Sequence, residues 1–158
     1  MKTLIVYYSR TGTTRRLALA LADALHADVA EIECDRYGSG PLSYLRAGYD
    51  SVRGNLPSIE VPETRYADYD LVVLGAPVWT SYPALPLRAF LAGNPQLPSR
   101  LGLFFTYGGH SAAAQAQAQV EASLPQPVTA VLAVKSGEVG DDELAPRIAD
   151  FTDQLTQR

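Results

Sequence analysis

The sequence predicts an α/β fold, a three-layer, doubly wound sandwich around a five-stranded parallel sheet. Three observations carry this. Five short apolar runs alternate with amphipathic stretches along the 158 residues, the pattern of successive βαβ units. Three of those runs are apolar almost throughout, as central strands covered by helices on both faces must be. The composition, 47% hydrophobic and 19% charged, suits one ordinary core. Residues 1–158 are therefore expected to form one domain, since no internal repeat and no linker divides them.

Taken in order, the first strand is expected at Leu4 to Tyr8 and the first helix from near Thr13, where Leu17, Leu21, Ala24 and Leu25 lie on one stripe. Ala30, Ile32 and Cys34 alternate with Glu31 and Glu33, so the second strand reads as a half-exposed edge. From Arg36 to Tyr69, Gly38, Gly40, Gly54, Pro41, Pro57 and Pro62 punctuate the chain, leaving one helix around Leu42 to Val52 and a long connection. The third strand follows at Leu71 to Gly75, then a short helix over Leu85 to Ala92 that stops before Gly93. The fourth strand spans Leu101 to Thr106, and the Ala/Gln stretch from Ala112 to Leu124 has high helix propensity. Val128 to Val134 forms the fifth strand. The last helix carries Leu144, Ile148, Phe151 and Leu155 on one stripe, with Asp141 or Asp142 as its cap and Pro146 in or just beyond its first turn, where a missing N–H costs least.

Composition also excludes several functions. A formal net charge of -4 without any Lys/Arg run argues against nucleic acid as a partner, because phosphate backbones reward concentrated positive charge. The apolar opening breaks at Ser9-Arg10, too short for a signal core or a membrane span. A soluble, cytoplasmic protein is expected. Cys34 is the single cysteine, and His26 and His110 stand far apart, so neither an internal disulfide nor a metal site is expected. Cys34 reads as a small core residue and His26 as a dipole-complementing residue at a helix C-terminus.

The chemistry-bearing residues begin with Ser9-Arg10-Thr11-Gly12-Thr13-Thr14, between the first strand and the first helix. A helix that follows a parallel strand points its free N–H groups and positive dipole end into the crevice, making an anion site. Gly12 permits a tight turn, while the hydroxyls of Ser9, Thr11, Thr13 and Thr14 donate to phosphate oxygens without adding charge. Hydrogen bonds to a charged group contribute ~1.5–3 kcal/mol each, so half a dozen hold a phosphate even after ordering and desolvation are subtracted. Such a cluster also suits a plain turn or N-cap. No Gly-Lys-Ser/Thr and no G-x-G-x-x-G accompanies it, which removes the nucleotide P-loop and the dinucleotide fold.

Residues 9–14 resemble the phosphate loop of the flavodoxin family, Thr/Ser-x-Thr-Gly-x-Thr after the first strand. The resemblance implies that the four hydroxyls and the amides through Gly12 cradle the phosphate of FMN. Arg10 is counted with this loop, although solvent is the expected place for it and for Arg15. Gly75, Pro77, Trp79, Pro83, Phe90 and Leu91 resemble a bacterial flavodoxin-like subgroup with Gly-x-Pro-x-Trp followed by Pro and Phe-Leu. The resemblance covers essentially the whole chain and implies the sheet order 2-1-3-4-5, in a short form with no insertion in the fifth strand.

In an open parallel sheet, ligands lie beyond the carboxyl ends of the strands at the switch point, flavodoxin itself being an example of the rule. Ala76 to Pro83 follows the third strand there, and Trp79 is placed to wall a flat isoalloxazine, with Pro77, Val78, Thr80, Ser81 and Tyr82 completing the loop. Family members commonly carry a second aromatic and a glycine after the tryptophan, where this chain has Thr80 and Ser81. That glycine eases a peptide flip toward flavin N5, so one-electron stabilisation is expected to be weaker here. After the fourth strand, Thr106-Tyr107-Gly108-Gly109-His110 should line the pyrimidine edge, with Tyr107 available to stack and His110 near N1/O2 as a donor to reduced flavin.

Three functions fit these residues. The first is an FMN-binding electron-transfer protein whose redox partner is another protein. The second is an FMN-dependent oxidoreductase taking electrons from NAD(P)H and passing them to a quinone; weak acidity, the missing loop glycine and Gly108-Gly109-His110 favour it, while small size and the lack of obvious nicotinamide-site residues favour the first. The third, a non-redox interaction module, is disfavoured by the intact phosphate-loop hydroxyls and Trp79. No catalytic residue is assigned. Tyr44, Arg46, Tyr49 and Arg53 are expected to serve surface and packing roles.

Overall fold

The computed structural model describes residues 1–109 and 112–157. The chain runs β1 (Thr3–Tyr8), α1 (Thr13–Leu25), β2 (Asp28–Ile32), α2 (Pro41–Arg53), β3 (Leu71–Trp79), β4 (Tyr82–Pro83), α3 (Leu85–Ala92), β5 (Leu101–Tyr107), α4 (Ala113–Ala122), β6 (Ala130–Lys135) and α5 (Leu144–Thr156). Five strands form one parallel sheet in the order β2-β1-β3-β5-β6, which is the expected 2-1-3-4-5. A sixth, the two-residue β4, lies off that path and pairs antiparallel with the end of β3.

Strand period two sorts the core into two layers. Leu4, Val6, Leu74, Leu103 and Phe105 face one side, where α3 and α4 supply Leu87, Phe90, Ala116 and Val120. Ile5, Tyr7, Val73, Phe104 and Leu132 face the other, against Leu17 and Leu21 of α1 and Phe151 and Leu155 of α5. Gly75 is required at one point of closest packing: a Cβ there would lie 1.9 Å from Phe104 Cζ. The ring fills the space a side chain would need.

Three expectations are corrected. Gly75 and Pro77 suggest that the third strand stops at Gly75, whereas β3 continues to Trp79. Pairing survives because Ala76 and Pro77 register with Phe105 and Thr106, and the Pro77 carbonyl accepts the Ala84 N–H at 2.9 Å. What was expected as a flavin loop is thus a β3–β4 hairpin turning at Thr80 and Ser81, with φ of 50° and 67°. Positive φ at both central residues matches the twist of a two-residue hairpin. At α5 neither Asp141 nor Asp142 caps the helix; Glu143 does, without a side-chain hydrogen bond. A backbone turn already serves that end, since Leu144 N–H donates to Asp141 O at 3.0 Å. Finally, β2 ends at Ile32, leaving Cys34 outside the strand and Glu33 bridged to Glu60.

α2 packs through small and polar residues. Its buried residues are Ala47, Asp50 and Ser51, while Leu42, Tyr44, Leu45, Tyr49 and Val52 are exposed.

Candidate functional site

A cavity of about 290 Å³ opens at the carboxyl ends of β1, β3 and β5, just under the ~300–1,000 Å³ range of small-molecule sites. Three segments far apart in sequence meet in it. The first contributes Arg10, Thr11, Thr13 and Thr14, the second Pro77, Val78, Trp79 and Thr80, and the third Thr106, Tyr107 and Gly108. α2 closes a further wall with Tyr44, Ala47 and Gly48, and Ser136 follows β6. Of the expected residues, Ser9, Gly12, Ser81, Tyr82 and Gly109 do not line this cavity; His110 lies outside the described residues.

The first segment is built as an anion site. Gly12, with φ 96°, ends the loop in the left-handed region and starts α1 without any side-chain cap. Ser9 Oγ accepts the N–H groups of Gly12 and Arg15, both at 3.1 Å. Ser9 therefore shapes the turn instead of pointing a free hydroxyl into the cavity. Arg16 N–H reaches Gly12 O, which leaves the N–H groups of Thr13 and Thr14 with no protein acceptor among the described residues. Two unpaired amides at a helix N-terminus carry its positive dipole end. Thr14 Oγ1 bonds Thr106 Oγ1 at 2.7 Å in the interior, tying the loop to the end of β5. The hydroxyls of Thr11 and Thr13 stay available at the wall.

Charge points the same way. Arg10, expected in solvent, is half-buried at the cavity wall; its guanidinium lies 5.5 Å from the Tyr44 ring centre and donates to Gly38 O at 3.4 Å. Arg15 does reach the exposed surface, where Glu31 takes it at 2.6 and 3.0 Å; those hydrogen bonds raise its pKa further. Among the described lining residues there is no carboxylate. An acid-free pocket with one guanidinium and a helix N-terminus suits a dianionic group.

Trp79 lines the same cavity, held edge to face by Tyr37 at 5.1 Å and Tyr8 at 5.7 Å. Burial raises the pKa of both phenols. The Trp79 carbonyl accepts Ser51 Oγ at 3.1 Å and Thr80 Oγ1 at 2.7 Å, so α2 fastens the hairpin directly.

Asp50 holds α2 in place and was missed by sequence reasoning. Its carboxylate, 1% exposed, accepts Arg36 Nε at 2.7 Å, Tyr37 Oη at 2.8 Å and Asn55 Nδ2 at 3.2 Å. Arg36, with support from Tyr37 and Asn55, holds its pKa at about 2. The available signal was a lone acid among small residues, Ala47, Gly48 and Ser51. Cys34 is half-buried, and desolvation raises its thiol pKa. Among the described residues no cluster of three or more His, Cys, Asp or Glu could hold a metal, and no helix is long and apolar enough to cross a membrane.

Comparison with known proteins agrees with this architecture. A flavoprotein from Lactobacillus acidophilus NCFM, solved in complex with FMN, superposes with TM-score 0.73 at 24% identity, covering 94% of this chain and 98% of that one. A candidate flavoprotein from Bacteroides eggerthii DSM 20697 gives 0.78 at 23% identity, with 99% of each chain covered. An Archaeoglobus fulgidus protein named NAD(P)H dehydrogenase (quinone) is 33% identical over 93 residues, 56% of this chain. This chain spans only about half of that relative, 48% of its length. The flavodoxin family profile matches residues 2–150, and the chain belongs to the flavodoxin family.

Proposed function

We propose that the chain, acting as one domain over residues 1–158, binds FMN non-covalently and mediates electron transfer through it in the cytoplasm. The observation that carries this reading is one cavity, without a carboxylate among its described lining residues, that is lined by both the α1 N-terminus and Trp79. In it, the N–H groups of Thr13 and Thr14, the hydroxyls of Thr11 and Thr13 and the Arg10 guanidinium would hold the phosphate. Trp79 would cover the ring system, with Pro77, Val78 and Thr80 along its edge and Tyr107 and Gly108 at the pyrimidine side. When bound, FMN supplies a ring that accepts and returns electrons.

The protein's own part is positioning and shielding. Tyr8 and Tyr37 hold the Trp79 indole, so little side-chain freedom is lost when it meets a flat ligand. Backbone amides that need no reorientation stabilise added negative charge at low cost. Protein expressed with riboflavin available should purify yellow, and the flavin-free chain should take up FMN in calorimetry with one site per chain. A colourless product that releases no heat with FMN overturns the reading.

A second reading, an FMN-dependent NAD(P)H:quinone oxidoreductase, is supported by the Archaeoglobus fulgidus relative, whose name is that activity. Anaerobic mixing of the FMN-loaded protein with NADPH separates the two. Rapid bleaching followed by stoichiometric quinone reduction supports the enzyme; an unchanged flavin spectrum supports the carrier.

A further inference from the structure

α2 presents its large apolar residues away from the protein. Leu42, Leu45, Tyr49 and Val52 are 79%, 66%, 60% and 68% exposed. Their three-four-three spacing places them within an arc of about 80°, on the side opposite Ala47, Asp50 and Ser51. Each apolar residue offers on the order of 100 Å² of carbon, so the stripe reaches the several hundred Å² that marks an interaction site.

The edge of this stripe carries the second observation. Arg46 and Arg53 lie one helical turn pair apart along the same flank, both exposed. Among the described residues neither joins an ion pair; Arg53 only rests 5.6 Å from the Tyr49 ring. The single carboxylate of α2, Asp50, is buried and bound to Arg36. An apolar stripe with a basic edge is thus displayed by a chain whose net charge is -4. A second copy is a poor occupant, because antiparallel two-fold pairing centred between Tyr49 and Asp50 would set Arg46 of one copy beside Arg53 of the other. A lipid surface rewards a helix whose polar face is rich in Lys and Arg, whereas α2 carries only Arg46 and Arg53. The same helix lines the cavity through Tyr44, Ala47 and Gly48, so whatever docks on it lies next to the site.

We propose that the α2 face, Leu42, Leu45, Tyr49 and Val52 with Arg46 and Arg53, docks an acidic electron-carrier protein beside the FMN site. This rests on the FMN reading above. Apolar anchors give such a complex its hold, while complementary edge charge raises the association rate and makes it fall with salt.

The test mixes FMN-loaded protein with photoreduced plant-type ferredoxin, an acidic one-electron carrier. Each reduced ferredoxin gives up one electron and is oxidised, two for each FMN fully reduced, with the accompanying protons drawn from water. The rate should fall with salt and drop about tenfold or more in Arg46→Glu/Arg53→Glu, and also drop in Leu45→Ser/Val52→Ser. Reduction of benzoquinone by the dithionite-reduced protein should stay unchanged in both variants. A ferredoxin rate indifferent to both variants overturns the proposal. So does dimerisation in sedimentation, or flotation on phosphatidylserine vesicles, that the variants abolish while the ferredoxin rate stays constant. Should FMN fail to bind, the FMN reading alone falls. Calorimetry of oxidised ferredoxin with the flavin-free chain then decides the docking: heat lost in the arginine variant supports it, and no heat with the parent chain overturns it.

Discussion

Thr11 and Thr13 stand on the cavity wall beside amides that no described residue satisfies, and Thr14 beside them is already committed to Thr106. These three hydroxyls look equivalent in sequence but should behave differently. Replacing Thr11 and Thr13 together with alanine removes two donors to a charged group, ~1.5–3 kcal/mol each, so FMN affinity should fall about 100-fold or more. The apoprotein should melt unchanged, because neither hydroxyl bonds another of the described residues. Thr14→Val should instead strand the Thr106 hydroxyl in the interior and lower apoprotein stability by about 1–3 kcal/mol. Fluorescence titration and denaturant unfolding read the two effects separately. A harsher change is Gly75→Ala, which sets a methyl 1.9 Å from Phe104 Cζ in the centre of the sheet. Overpacking of this kind costs about 1–3 kcal/mol or more, and urea midpoints should show it even though the residue lies outside the cavity lining.

At the scale of elements, α2 is where sequence and structure part company. The phosphate loop was legible because strand, Gly12 and hydroxyls sit in one contiguous run whose meaning follows from position alone. The β3–β4 hairpin was not, since Thr80 and Ser81 hold positive φ without glycine and Pro77 sits in a strand that Ala84 helps to satisfy. Those are effects of partners distant in sequence or of tertiary demand. α2 differs in a third way. A helix around Leu42 to Val52 is legible, but the face it buries is not: the contact is made by small residues and by Asp50, whose partners Arg36 and Tyr37 lie upstream of the helix. Only the closed network makes that burial affordable. Asp50→Asn should therefore loosen α2, destabilise the fold by about 1–3 kcal/mol and weaken the hold on Trp79. The folded-state pKa of Asp50, about 2, lies below its ordinary 3.8, so the carboxylate contributes stability that is complete above the higher value and lost as pH falls through the lower one. Unfolding free energy of the parent chain should decline over that window more steeply than that of Asp50→Asn. Parallel curves for the two would remove the carboxylate from the account.

For the whole molecule, the cavity is assembled from the ends of three strands, one helix N-terminus and the side of α2, so a ligand there couples parts that otherwise meet only through the sheet. Anything that binds the folded chain and not the unfolded one stabilises by mass action, about 2.7 kcal/mol when free ligand is at 100 times Kd. For a domain of this size each kcal/mol moves Tm by roughly 2–4 °C, so FMN at that level should raise Tm by about 5–11 °C. The same FMN concentration applied to Thr11→Ala/Thr13→Ala, with Kd about 100-fold weaker, brings ligand only to its Kd and contributes about 0.4 kcal/mol. Its Tm should then rise by about 1 °C. Scanning fluorimetry of both proteins with and without FMN gives a comparison in which the apoprotein serves as its own control. An equal rise in parent and variant would mean that FMN binds away from the α1 N-terminus, because only a site that uses those hydroxyls can lose its stabilising effect while the unliganded fold stays as it was.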